Sequence, residues 1–159
     1  MIVTLASLDD SGLAELAASA LTDTRPGETM PTSATKWDDA LVEEFMAFHR
    51  RRCGGLDGPE RELSYIVRVD ERAQGVIRLQ QQSPDVFEVG IWLARSVRGH
   101  GVGQQALAAA VEEARALGAR TVVANTTIVN AAAIAALRRL EADIERASAT
   151  GEVRASFNF

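Results

Sequence analysis

The chain has 159 residues, 47 % hydrophobic and 25 % charged, enough for one globular domain and unlike a disordered or fibrous polymer. Twenty-two acidic residues against 17 basic ones give a formal net charge of −5, with a single lysine, Lys36. An acidic chain without a basic run argues against nucleic acid and anionic membranes as partners. No apolar run approaches the ~20 residues of a membrane-spanning helix. The N-terminus lacks the basic flank of a signal peptide, and the lone Cys53 excludes an internal disulfide and argues against a zinc cluster. A single cytoplasmic domain over 1–159, without metal, is expected.

Residues 2–6 read as a strand and 10–21 as a helix with Leu13, Leu16, Ala17, Ala20 and Leu21 on one face, capped by Asp9, Asp10 or Ser11. Two prolines, a glycine and several hydroxyls make 23–37 a flexible loop. Asp38 then caps a helix over 39–52, with Leu41, Phe45 and Phe48 inward and His49 on the surface among Arg50, Arg51 and Arg52; Gly54 and Gly55 end it. Strands over 64–69, 74–81 and 86–94 form an antiparallel meander, which puts Glu88, Gly90 and Trp92 on one face and Val89, Ile91 and Leu93 on the other. A helix over 104–117 carries Leu107, Ala110, Val111, Ala114 and Leu117 on one side and stops at Gly118. A strand over 120–127, a helix over 130–141 and two strands over 143–149 and 153–159 complete the chain. Seven strands and four helices in this order predict an α/β (α+β) fold: a single mixed, mostly antiparallel sheet with helices on both faces.

The segment Arg98-Gly99-His100-Gly101-Val102-Gly103-Gln104 interrupts the pattern between a buried strand and the strongest helix. Glycines leave backbone N–H groups uncovered and allow the positive φ that turns several of them one way. The helix adds its own unpaired N–H groups and the positive end of its dipole, a site for a phosphate or diphosphate without a lysine. No Gly-Lys-Ser/Thr follows, and glycines at 99, 101 and 103 do not fit G-x-G-x-x-G, so neither a Walker A loop nor a dinucleotide fingerprint is present.

With Arg98, Gly101 and Gly103 at its three defining positions, the segment resembles the Arg/Gln-x-x-Gly-x-Gly/Ala loop of the GCN5-related N-acetyltransferases (GNAT). The resemblance covers about residues 60–142. It implies a GNAT-like seven-stranded sheet and acetyl-CoA as co-substrate, lying where strands 86–94 and 120–127 splay apart. The backbone of Ile91, Trp92 and Leu93 would pair with the pantetheine arm. The N–H groups of Gly99, His100, Gly101, Val102, Gly103 and Gln104 would take the diphosphate, and Asn130 would contact the arm. Glu88 is the candidate general base for an amine that attacks the thioester directly. The family's tyrosine acid is replaced here by Leu137, and Asn125 stands where the ribosomal-protein branch has a base, which disfavours that branch.

The resulting expectation is an N-acetyltransferase for a primary amine, on a small molecule or a peptide. Trp37 and the acidic run Asp38, Asp39, Glu43 and Glu44 are either its mouth or ordinary core and helix-end residues. The alternatives are a non-catalytic acyl-CoA-binding sensor and a nucleotide-binding domain. The last strand, with Phe157 and Phe159, either finishes the core or pairs with a second subunit as a homodimer.

Overall fold

The computed structural model describes residues 1–147 and 149–159. The elements are β1 (Val3–Ser7), α1 (Asp10–Asp23), α2 (Asp39–Arg51), β2 (Glu62–Val69), β3 (Arg72–Ser83), β4 (Val86–Leu93), α3 (Val102–Ala116), β5 (Thr121–Thr127), α4 (Ala131–Arg139), β6 (Asp143–Ala147) and β7 (Glu152–Asn158). Short 3₁₀ turns occupy Pro26–Glu28 and Arg95–Val97. The last expected strand pair is present, although the expected span 143–149 includes Ser148, outside the described residues.

All seven strands form one sheet, in the order β1-β2-β3-β4-β5-β7-β6. Among the described residues only β4 and β5 run parallel. A parallel neighbour needs a crossover, and α3 supplies it. One core lies under α1 and α2 and includes Leu13, Leu16, Phe45, Ile66 and Val76. The other lies under α3 and α4 and includes Val67, Ile77, Leu79, Phe87, Leu107, Val122 and Leu137. Phe45 and Phe87 are fully buried, one in each core; removal of such a ring from water is worth roughly 1.5–3 kcal/mol.

The caps follow side-chain chemistry. Asp9 accepts the Gly12 N–H at 2.7 Å, and Asp38 accepts the Leu41 N–H at 2.7 Å. Gly118 stops α3 at φ 98°. Helical geometry also corrects several sequence expectations. Leu21 is 45 % exposed, because at 100° per residue it lies about 80° round from Leu13 and outside the buried stripe. On α2 the stripe centres on Phe45, so His49, about 40° to one side, is buried at 3 % exposure. Phe48, about 60° to the other side, is half-buried. Leu117 falls beyond the end of α3 and is exposed. The C-terminal strand β7 is not a free edge: it lies between β5 and β6, with Phe157 in the core and Phe159 exposed. The edges are β1 and β6. No described helix is long and apolar enough to cross a membrane.

Candidate active site

The parallel ladder between β4 and β5 is short. It pairs 86–89 with 121–124 and then stops. Beyond it β4 stays with β3 as far as Leu93, and β5 stays with β7 as far as Thr127. The two strands therefore part, and 90–93 have an unpaired edge in which Ile91 is 42 % exposed. Side chains alternate as expected: Val89 and Leu93 join the α3 core, whereas Trp92 packs toward α2, 6.1 Å from the Phe45 ring.

At the wide end of this opening the chain turns into α3. Gly99 and Gly101 adopt φ 77° and 79°, the left-handed region in which a side chain is strained. Gly101 is the N-cap of α3, so Gly103 lies inside the helix, with room for a Cβ 3.6 Å from Leu93 Cδ1. Of the three glycines, only two are required by φ. None of the N–H groups of residues 99–104 donates to a protein acceptor among the described residues. These are six consecutive uncommitted amides at a helix N-terminus, and the arrangement favours an anion.

Arg98 does not point outward from this loop. Its Nε and Nη2 donate to the Leu93 carbonyl at 2.9 and 2.7 Å, and its Nη1 donates to Glu28 Oε1 at 3.1 Å. Arg95 reaches the same oxygen at 3.3 Å, and the Ser96 N–H donates to Asp23 at 2.8 Å. The segment between α1 and α2 is thus tied to the glycine loop. Burial opposes ionisation of Glu28, but the Arg25 N–H and the Arg98 and Arg95 guanidinia outweigh it, and its carboxyl is held below the usual range.

Glu88 stands on β4 one pair before the end of the ladder, opposite Val123, and is half-buried. Its Oε2 accepts from Asn125 Nδ2 at 3.3 Å. The carboxylate therefore bridges the two strands where they begin to part. Asn130 caps α4, its Oδ1 accepting the Ala133 N–H at 3.1 Å, which leaves its amide NH₂ free of that role. His100 is exposed. Leu137 is buried in the core at 3 % exposure. Tyr65 donates to Glu113 at 3.3 Å on the α3 face, and burial with the Glu113 charge pushes its hydroxyl up to about 12. Neither position offers an acid to the opening. Trp37 donates to the Thr24 carbonyl at 3.0 Å and packs edge-on against Phe45, so it is an anchor of the α2 core.

Sequence reasoning missed a polar cluster on the α2 side of the sheet. Glu62, 1 % exposed, meets Arg78 at 3.4 Å and Arg52 at 3.7 Å. His49 lies beside Phe45 and Trp92, and burial with the charges of Arg52 and Arg78 lowers its pKa to about 4. His49 Nε2, Glu62 Oε1, Ser64 Oγ and Trp92 Nε1 are buried without a partner. The only sequence signal was the occurrence of charged residues inside apolar strands.

A family model described as an acetyltransferase (GNAT) domain matches residues 3–143. No curated protein matches the chain in sequence. Among solved structures, the ribosomal-protein alpha-N-acetyltransferase RimL in complex with coenzyme A superposes with a TM-score of 0.76 at 20 % identity, over 99 % of this chain and 94 % of that one. The Campylobacter jejuni N-acetyltransferase PseH in complex with acetyl coenzyme A gives 0.70 at 16 % identity, over 99 % of both chains. A domain from Methanocaldococcus jannaschii gives 0.73 at 16 %, also over 99 % of both.

Proposed function

The chain belongs to the GNAT acetyltransferase family, and from that premise we propose that it is a cytoplasmic N-acetyltransferase that moves the acetyl group of acetyl-CoA to a primary amine by direct attack in a ternary complex. The observation that carries this reading is the row of six uncommitted amides at residues 99–104, at the mouth of the β4–β5 opening. A diphosphate satisfies those amides, and an extended pantetheine arm supplies the missing strand beside the backbone of Ile91, Trp92 and Leu93. Arg98 fixes the end of that strand through the Leu93 carbonyl. The Asn130 amide is available to the arm. Coenzyme A and acetyl coenzyme A in two structural neighbours agree with this choice of co-substrate.

Glu88 is the proposed general base, at the apex of the opening. An alkylamine has a pKa near ~10 and must lose a proton to attack. The amine nitrogen bonds to the thioester carbonyl carbon, its proton passes to Glu88 directly or through water, and the C–S bond breaks. A backbone N–H near Leu93 steadies the developing oxyanion. A thiol has a pKa of about 8.5, so the leaving sulfur departs as thiolate and takes a solvent proton, without an acid at position 137. The amine acceptor is a small molecule or a peptide, and the protein functions as a monomer or a homodimer.

Thiol release from acetyl-CoA over an amine panel tests the reading. Amine-dependent release is expected, with Glu88→Gln lowering kcat/KM by about 10²-fold or more and altering the pH–rate profile. Thioester binding without turnover on any amine would instead make the domain an acyl-CoA sensor. A Glu88→Gln enzyme with unchanged rate and profile would remove Glu88 from the chemistry.

A further inference from the structure

Arg78 lies on β3, opposite Gly90 of β4 and Ser64 of β2. A Cβ built on Gly90 would stand 2.9 Å from Arg78 Nε and 3.1 Å from Cζ and Nη2, so the guanidinium occupies the space left by that missing side chain. Gly90 is also the first β4 residue past the end of the ladder with β5. The guanidinium is thereby set at the apex of the opening, between Glu88 and Trp92 on one face of β4. Its Nη1 is committed to Glu62. Its Nε and Nη2, the paired donors of one edge, meet no acceptor among the described residues, and the side chain is 35 % exposed. Trp92 Nε1 and Ser64 Oγ add two buried donors without partners. Arg78 and Arg52 outnumber the one carboxylate they share, Glu62. Glu62 Oε1 and His49 Nε2 are also buried without partners in the same cluster.

A cationic fork with free parallel donors matches a carboxylate in two-point contact. We propose that Arg78 binds a carboxylate of the acceptor, which makes the substrate a small amine that carries an acid, of the amino-acid type. The inference rests on the acetyl-transfer reading above. Glu88 and Gly90 are two residues apart on one strand, about 6.6 Å. That spacing suits an acid a few bonds from the reacting nitrogen.

The test is a matched acceptor series: α- to ω-amino acids, their carboxamides and the decarboxylated amines, with wild type, Arg78→Lys and Arg78→Gln. Wild type is expected to favour the best acid over its carboxamide by about tenfold or more in kcat/KM, mostly through KM. Both variants lose that ratio, because lysine keeps the charge but not the fork. Since Arg78 also pairs with buried Glu62, Glu62→Gln/Arg78→Gln serves as a second variant without a stranded carboxylate, and calorimetry with acetyl-CoA reports whether each folds and binds the co-substrate. Wild type acetylating carboxamides as well as acids, or variants that keep the ratio, would overturn the assignment and leave the acetyltransferase reading intact. No turnover on any amine would overturn both.

Discussion

His49 shows how one side chain sets a pH dependence. It is buried against Phe45, Phe48 and Trp92, with Arg52 and Arg78 nearby, and titrates at about 4 instead of 6.5. The folded state therefore binds this proton less readily than the unfolded chain does. Its contribution is fully present above pH 6.5 and is lost as pH falls toward 4, by about 3 kcal/mol in all. Glu62 acts with the opposite sign, because burial raises its pKa, so only a difference between variants isolates the histidine. Urea unfolding of wild type and His49→Leu from pH 7.5 to 4.5 is expected to show the variant gaining on wild type as pH falls. Parallel curves would mean that folding leaves the His49 pKa unshifted. The burial itself was not legible from Arg50, Arg51 and Arg52, whose charge suggested a solvated helix end; the stripe of Leu41 and Phe45 continues to His49 and decides the matter. The face on which Glu88 stands was legible because strand alternation alone assigns it. The seat of Arg78 over Gly90 was not, because it depends on which residue lies opposite.

Register is the reason. The β2–β3 hairpin turns at Asp70 and Glu71, both at positive φ, and pairs Val69 with Arg72 and Arg68 with Ala73. A bulge then intervenes, so Val67 meets Gly75 and Ser64 meets Arg78. Without the extra residue Ser64 would face Ile77, and Arg78 would fall on the α3 side; a one-residue slip exchanges the faces. Nothing local in Gln74 announces this, although its carbonyl accepts the Ala94 N–H at 2.7 Å at the end of β4. The glycine loop, in contrast, was legible because its chemistry is local, except that helix α3 starts at Val102 and so takes in Gly103. Two glycines of one motif should therefore respond oppositely. Gly103→Ala, whose Cβ would make an ordinary contact with Leu93 on a helical backbone, is expected to stabilise the unliganded protein by about 0.5–1 kcal/mol. Gly101→Ala, at φ 79°, should cost about 1–2 kcal/mol. Denaturant unfolding of both without thioester checks the pair, and equal effects would contradict the assigned backbone.

At the scale of the molecule, two cores hold one sheet from opposite faces, and neighbouring strands of that sheet part beyond the β4–β5 ladder. The order of strands and helices, read in sequence, was sufficient for this architecture. The place of β7 inside the sheet was not, since alternation of Val153, Ala155 and Phe157 gives a face but no neighbour. Acetyl transfer as proposed depends on the opening in the sheet and on the amides at its mouth acting together as a grip for a diphosphate. Calorimetric titration with acetyl-CoA and with S-acetylpantetheine, the same thioester arm without the nucleotide diphosphate, measures that grip, with Gly101→Val as the second arm. Wild type is expected to bind acetyl-CoA about 100-fold or more tightly than the bare arm, and the Gly101→Val protein should lose most of that difference. Equal affinity for the two thioesters in wild type, or an undiminished difference in the variant, would contradict the account.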